Sequence, residues 1–483
     1  MSNSRRAALL AAVCSVGILA GLAAPAHAES LADAIALAYQ SNPTLQGQRA
    51  SQRALDESIV QARTGYRPAA SATADASWYK GESGGEVGSS GATLGVSQTL
   101  YTGGRISSAV SAARSDVRTG REGLRSVEAG VLQAVITAYV DVRRDEERLR
   151  IAQDNVAVLQ RQLQEARARF EVGEITRTDV AQAEARLAAA RASLASAQAQ
   201  LAISRASYAA VVGQNPGDLE PEPSLGALLP ASVEDAFAAA EEANPEILAA
   251  EAAEQASRAR VAAARAARRP TVTASGSVGF DASDAPFSGT GGQFEDYERS
   301  LAGTVKVTVP IFTGGLTNSQ VRAAMERNNA DRAGIEEARR AVLRAVSQAW
   351  NGLIGARANL AANEEQVRAA RIAFEGVRQE AQVGLRTTLD VLNAEQELRN
   401  AELALANARH DEYVASAALL AAMGKLEARY LTPEVALYDP KAQGGLLDSL
   451  GWVPWEPVVA AVDRIGAPPK GKPPAESPAA PPK

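Results

Sequence analysis

The most restrictive feature of this sequence is that it is written twice. Tyr101-Thr102-Gly103-Gly104 returns as Phe312-Thr313-Gly314-Gly315. At the same offset Val172-Gly173, Thr176, Asp179-Val180, Ala183-Glu184 and Leu187 return as Val383-Gly384, Thr387, Asp390-Val391, Ala394-Glu395 and Leu398. Near the start of each half the offset is smaller, Asn42-Pro43 becoming Asn244-Pro245 and Arg67-Pro68 becoming Arg269-Pro270. The difference is an insertion between about residues 270 and 312, which belongs in a loop. Any architecture must therefore accommodate one plan two times over.

That plan is regular. A helical stretch (Ser30 to Arg63; Ser232 to Arg268) ends at an Arg-Pro, where proline cannot continue the helix. Two strand-like runs follow around a Gly/Ser-rich loop: Ala70 to Lys80 and Ala92 to Tyr101, then Thr271 to Phe280 and Leu301 to Phe312. In the last of these Val305, Val307 and Val309 alternate with Thr304, Lys306 and Thr308, giving one apolar and one wet face. Thr-Gly-Gly then releases a long helical pattern, Arg105 to Phe170 and Leu316 to Ala381. A Val-Gly turn leads to a third helix, Asp179 to Val212 and Asp390 to Met423. The long pattern spans roughly 100 Å, and the two shorter helices of a half, laid end to end, match it.

Heptads set the packing. Leu149, Val156, Leu163 and Phe170 recur every seven residues, interleaved with Ala152, Leu159 and Ala166. Val180, Leu187, Leu194, Leu201 and Tyr208 do the same beside Ala183, Ala190 and Ala197, and the second half repeats the pattern with Leu360, Val367 and Phe374 and with Val391, Leu398 and Leu405. Sustained sevens predict left-handed supercoiling. Periodicity alone fits either a hollow wall one helix thick or a solid antiparallel bundle. The strands separate the two. Four strands cannot close a barrel, which needs about eight, and left alone they expose edges. Pooling strands from several chains is the remedy, and three chains would supply twelve.

Composition narrows the chemistry. The 483 residues are 46% hydrophobic but only 4% aromatic, which suits long, thin, alanine-rich helical packing better than a thick core. Residues 1–28 read as a secretory signal: Arg5 and Arg6, an apolar run from Ala7 to Ala24, and Ala26-His27-Ala28 for cleavage near Ala28. An uncleaved anchor and a lipidated Cys14 are the other readings of this segment, disfavoured by the shortness of the run and by Val13. Cys14 is the single cysteine, so after cleavage disulfides, thiolate metal sites and Cys–His pairs are excluded. A histidine-based triad would rest on His410, which Arg409, Asp411 and Glu412 put on a solvated face. No enzyme activity, cofactor or metal is expected. A net charge of -6 without a concentrated basic patch argues against nucleic acid. Gly103-Gly104 and Gly314-Gly315 lack the spacing of phosphate loops. No later stretch reads as a membrane helix.

From Glu29 to about Asp439 the duplicated order resembles the TolC family of outer-membrane export channels, in its type I secretion branch. The most specific pieces are Arg169-Phe170-Glu171-Val172-Gly173 with Thr178-Asp179-Val180, and Val383-Gly384-Leu385-Arg386-Thr387-Thr388-Leu389-Asp390-Val391-Leu392-Asn393-Ala394. The resemblance implies an α+β membrane protein and a homotrimer, in which a 12-stranded β-barrel in outer-membrane lipid continues as a 12-helix α-barrel, a coiled-coil tunnel in the periplasm. It implies a passive duct that works with a periplasmic adaptor and an inner-membrane ABC transporter or other pump. Its cargo would be exported protein, with drug efflux the alternative. A soluble periplasmic coiled-coil scaffold or adaptor is the reading from a different class. The map is then a signal peptide 1–28, a first repeat 29–212, an equatorial linker 213–230, a second repeat 231–424, an equatorial C-terminal segment 425–465 and a proline-rich disordered tail 466–483.

The same resemblance assigns positions. Family members narrow their inner end with acidic rings. Asp390 is the counterpart of one pore-facing aspartate, and Asn393 stands where a second can occur. Arg386, Thr178 and Asp179 match positions that latch neighbouring helix pairs, and Ala381 takes the place of a latch tyrosine. The turn tips Val172, Gly173, Val383 and Gly384 would meet the partner. The residues themselves offer another reading, since Thr176-x-x-Asp179 and Thr387-x-x-Asp390 both fit capping boxes, and the roles can coexist. Lys306 and Arg299 read as lumen or interface charges or as solvated positions, and Trp452 with Trp455 as a packed turn.

Overall fold

The computed structural model describes residues 29–80, 82, 86–283, 297–432, 437–439 and 453–465. The expected signal 1–28 with Cys14 and Ala28, Trp452 and the tail 466–483 lie outside the described residues. The first half runs α1 (Leu31–Ser41), α2 (Pro43–Arg63), β1 (Ala69–Lys80), β2 (Glu86–Tyr101), α3 (Arg105–Glu171) and α4 (Arg177–Val212). The second runs α5 (Val233–Ala243), α6 (Pro245–Ala266), β3 (Thr271–Ser283), β4 (Glu298–Thr308), α7 (Leu316–Gln382) and α8 (Thr388–Ala422). Two short helices follow, α9 (Ala428–Leu431) and α10 (Glu456–Arg464).

The opening stretch of each half, expected as one helix, is two. Pro43 and Pro245 have no N–H to continue the preceding turn, so α1 and α5 stop at Asn42 and Asn244. Ser30 and Ser232 cap their starts, accepting from the N–H groups of Asp33 and Asp235. The two asparagines then act at long range. Asn42 Nδ2 donates to the Val211 carbonyl at 2.9 Å, and Asn244 Nδ2 to the Ala422 carbonyl at 2.8 Å. Each repeat thereby ties its Asn-Pro break to an orphan carbonyl at the end of its last helix. Gly213 and Gly424 close those helices at φ of 99° and 71°, and a Cβ on Gly424 would meet the Ala243 carbonyl oxygen at 2.7 Å.

The strands form one antiparallel sheet in the order β1-β2-β3-β4, so β1 and β4 are its edges. Register sorts the side chains by face. Ala72, Leu94, Val278 and Leu301 lie opposite one another in one row, and Ala70, Val96, Gly276 and Gly303 in the next row on the same face. The other face carries Thr73, Thr93, Gly279 and Ser300, then Ser71, Gly95, Ser277 and Ala302. One face is apolar and one hydroxyl-rich, as the period of two predicted. Lys306 falls on the polar face and Arg299, opposite Phe280, at the end of the apolar one. β4 ends at Thr308, short of the expected Phe312, because Pro310 cannot join the ladder, and Ile311 and Phe312 are left exposed.

The chain divides into two compact units, one of residues up to 42, 132–227 and 355–415, the other of 43–131, 228–354 and 416 onward. In the first, the heptad seam is observed: Leu159, Leu163 and Ala166 of α3 pack with Ala183, Leu187 and Ala190 of α4, joined by Leu392 of α8. Phe170, predicted to end that seam, is exposed, since the helix turns there. The same unit buries Tyr139 and Tyr208 around Glu29. Tyr208 Oη donates to Glu29 Oε1 at 2.7 Å, and Tyr139 Oη to the Glu29 and Glu220 carbonyls at 3.0 and 2.6 Å. In the second unit Tyr66, Val110 and Val459 form a cluster beneath α10. Among the described residues no helix is long and apolar enough to cross a membrane.

Candidate functional site

The two halves are most alike where α3 turns into α4 and α7 into α8. At the first tip Gly173 N–H donates to the Phe170 carbonyl at 3.0 Å and Glu174 N–H to Arg169 at 2.9 Å. At the second, Gly384 N–H donates to Ala381 at 3.1 Å and Leu385 N–H to Glu380 at 2.9 Å. This nested pair of bonds needs a left-handed residue between them, supplied by Gly173 at φ 80° and Gly384 at φ 81°. Val172 and Val383 are pushed outward beside the glycines, 73% and 72% exposed. Two apolar knobs on rigid turns are features that a partner protein can grip.

A capping box starts the helix after each turn. Asp179 Oδ2 accepts from the Thr176 N–H at 2.9 Å and hydroxyl at 2.8 Å, and Thr176 Oγ1 accepts from the Asp179 N–H. Asp390 does the same with Thr387, at 3.0 Å from the N–H and 2.8 Å from the hydroxyl. The hydrogen bonds from the threonine main chain and hydroxyl hold both carboxyls below their ordinary pKa, so both are ionised at neutral pH. Arg386 pairs with Glu380 of its own turn at 2.8 Å, and Thr178 stands exposed on the first turn of α4. Among the described residues no ion pair joins Arg386 to Asp179. One chain alone does not bring the three latch positions together.

Below the tips α8 is fastened to the α3–α4 pair. Asn393 Oδ1 accepts from Arg186 Nη2 at 3.1 Å, and Leu392 enters the α3–α4 seam. Glu395, which the sequence reading did not single out, accepts from Gln162 Nε2 at 2.8 Å and is 1% exposed. Burial pushes its carboxyl pKa up, against the Gln162 hydrogen bond. Its repeat counterpart Glu184 is instead exposed and paired with Arg167 at 2.7 Å. The only hint in the sequence is that Leu392, Glu395 and Leu398 share a helix face.

His410 corrects an expectation. It is not solvated: its side chain is 13% exposed, with Asp141 at 3.0 Å and Asp411 at 2.9 Å. Burial opposes its charge, but the hydrogen bonds to these two carboxylates prevail and raise its pKa. It borders a cleft of about 510 Å³ lined by Arg143, Arg150, Arg371, Glu147, Glu222 and Glu402, whose charges of both signs meet there. Among the described residues no cluster of three potential ligands for a metal occurs. Trp455 is half exposed at the start of α10.

Comparison with known proteins gives the decisive observation: the sequence profile described as outer membrane efflux protein matches residues 34–214 and 237–425, one block in each repeat. The chain belongs to the outer membrane efflux protein family. Its resemblance to the TolC-type channels thus holds, and membership removes the soluble scaffold. The outer membrane efflux protein BepC of Brucella suis is 37% identical over 433 residues, covering 89% of this chain and 92% of BepC. The alkaline protease secretion protein AprF of Pseudomonas aeruginosa is 28% identical over 313 residues, covering 63% of this chain and 64% of AprF. The solved structure of the Campylobacter jejuni CmeC outer membrane channel superposes with a TM-score of 0.72 at 14% identity, over 87% of this chain and 89% of CmeC. At that identity the likeness speaks for the fold: long helices with a small antiparallel sheet, the α-barrel and β-barrel parts of an outer-membrane channel.

Proposed function

We propose that three copies of this chain assemble into the exit duct of a tripartite export system, most specifically of type I protein secretion. The single observation that carries the assembly is the sheet. It has two open edges, one apolar face and one hydroxyl-rich face, which is what one third of a lipid-embedded, water-filled barrel requires. Joining β4 of one copy to β1 of the next removes every edge and gives twelve strands, and the helices continue the wall as a twelve-helix tunnel. In this reading residues 29–212 and 231–424 are the repeats, 213–230 and the part of 425–465 before α10 belong to the equatorial belt, α10 itself is held at the base of the sheet by Glu456 and Asp463, and 1–28 is removed near Ala28 on export.

The inner end is then formed by the tips. Asp390 from three copies lines the constriction, with Asn393 behind it. Thr178, Asp179 and Arg386 latch neighbouring helix pairs between copies, and Val172, Gly173, Val383 and Gly384 meet a periplasmic adaptor attached to an ABC-type pump. Exposed latch contacts are each worth about 0 to 1 kcal/mol, so a docking partner can break several of them. Secretion of protein is favoured by the likeness to AprF, and by the turn sequences. The higher identity to BepC, an efflux protein by name, supports small-molecule efflux as the second reading.

Cysteine pairing tests the assembly. With Thr73 of β1 and, in turn, each of residues 302–306 of β4 changed to cysteine, oxidation should yield covalent dimers and trimers for one register. Monomer at every register overturns the barrel. A deletion strain then separates the cargoes. Loss of an extracellular protein with unchanged dye and antibiotic tolerance is expected, whereas sensitisation with a normal secretome favours efflux.

A further inference from the structure

The helix α10 turns its two acids inward. Glu456 accepts from Arg63 Nε at 2.8 Å and Arg67 Nε at 3.0 Å. Asp463 accepts from the N–H groups of Thr102 at 2.8 Å, Gly104 at 3.2 Å and Ser107 at 3.3 Å, and from the Thr102 hydroxyl at 2.7 Å. Val459 packs down with them on Tyr66 and Val110. What remains outside is Trp455, Val458, Val462 and Ile465, spaced along one helix face, and Ile465 is 82% exposed. Arg464 is the one charged residue among the exposed positions of 455–465, and none of them is acidic. A helix facing water normally carries charges of both signs on its outer side, so this composition calls for another environment.

Position supplies it. The groups that hold Asp463 and Glu456 are the end of β2 at Thr102 and the approach to β1 at Arg67, which is the base of the sheet. Trp455 Nε1 donates to Gln98 Oε1 at 3.4 Å. Gln98 alternates with Val96 and Leu94 along β2 and therefore belongs to the apolar face. The exposed stripe of α10 thus carries that face on beyond the point where the strands stop.

We infer that α10 is an interfacial membrane anchor. Trp455, Val458, Val462 and Ile465 lie among the headgroups and upper acyl chains of the leaflet around the base of the sheet, and Arg464 reaches lipid phosphate. Tryptophan with aliphatic neighbours is the composition that this zone selects, at a girdle just past the strands. The inference rests on the sheet being the membrane-embedded part, and the experiment scores the two separately.

Trp78→Phe, Trp350→Phe and Trp452→Phe leave Trp455 as the sole tryptophan of the full chain. The protein is reconstituted into phosphatidylcholine–phosphatidylglycerol vesicles and membrane insertion is scored by flotation after an alkaline wash. Trp455 emission should be quenched by phospholipid brominated high on the acyl chain and spared by aqueous iodide. Floating protein whose Trp455 is quenched by iodide, or by neither agent because a second copy covers it, overturns the anchor while leaving the channel intact. Protein that fails to float overturns the membrane reading and the anchor with it. The same comparison between the native chain and Trp455→Phe needs one conservative change and guards against misfolding. Loss of the lipid-quenched component is expected, and an unchanged quenching profile refutes the anchor.

Discussion

Asp390 and Glu395 share the first turns of α8 and meet opposite environments. Asp390 is exposed and its pKa is lowered by the Thr387 cap, so the cap's stabilisation is present above the ordinary carboxylate range and is lost as pH falls through the lowered value. The cap and the proposed pore-lining role can be pulled apart. Thr387→Ala should cost about 1 kcal/mol in thermal or denaturant unfolding yet leave block by multivalent cations in a planar bilayer in place. Asp390→Ala should weaken that block, and unchanged block would remove the ring. Glu395 runs the other way. Its pKa is raised by burial, so its contribution is full below the ordinary glutamate value and is lost as pH rises through the raised one. Glu395 Oε1 and Gln162 Oε1 are moreover both buried without a hydrogen-bond partner. Glu395→Gln supplies a donor, removes the charge and should raise the melting temperature at pH 7, with the gain shrinking towards pH 4 to 5. An equal gain at both ends would refute the assignment. The repeat could not reveal this residue, because Glu184 and Glu395 align while burial depends on which face of each helix the packing selects.

Among the elements, the turns are legible in the sequence and the breaks are not. The glycines of the tips follow from chain geometry alone, since a helix reversing through a nested hydrogen-bond pair needs a left-handed residue, and both Val-Gly pairs supply one. The long helices were legible for the same reason that heptads are: periodicity persists for many turns. The Asn-Pro breaks are hidden in the sequence because the apolar pattern continues across them and only the missing proline N–H stops the helix. The long-range bonds of Asn42 and Asn244 carry no local signal at all. These distinctions predict different mutational costs. Gly384→Ala meets nothing within 4 Å and should cost about 1 kcal/mol, the left-handed penalty alone. Gly424→Ala adds a backbone collision at 2.7 Å and should cost about 3 kcal/mol or more, read by denaturant unfolding. Equal costs would mean that the Asn244–Ala422 clasp yields freely.

Over the length of the chain, a late helix fastens an early turn within the second unit. Asp463 is 1% exposed and gathers three hydrogen bonds from the first repeat's Thr-Gly-Gly turn and a fourth from Ser107 at the start of α3. Asp463→Ala leaves those donors unmet and should destabilise by about 3 kcal/mol in thermal unfolding, while the equivalent turn at Thr313 stays unaffected. No motif announced this contact, because it joins segments hundreds of residues apart. The alternation within β4, by contrast, was plain in the sequence, and it bears on transport. On the polar face, Ser71, Thr73, Thr93, Ser275, Ser277 and Thr304 present short hydroxyls, interspersed with Gly91, Gly95 and Gly279 and with the charged Asp75, Asp281 and Lys306. Under the proposed function this face lines the pore, and a passing cargo meets mostly short hydroxyls and backbone that exchange bonds with water quickly, with Asp75, Asp281 and Lys306 as fixed charges. Low friction for uncharged cargo is thus what the small residues of the strands supply, and charge is the property of a passenger that this wall senses.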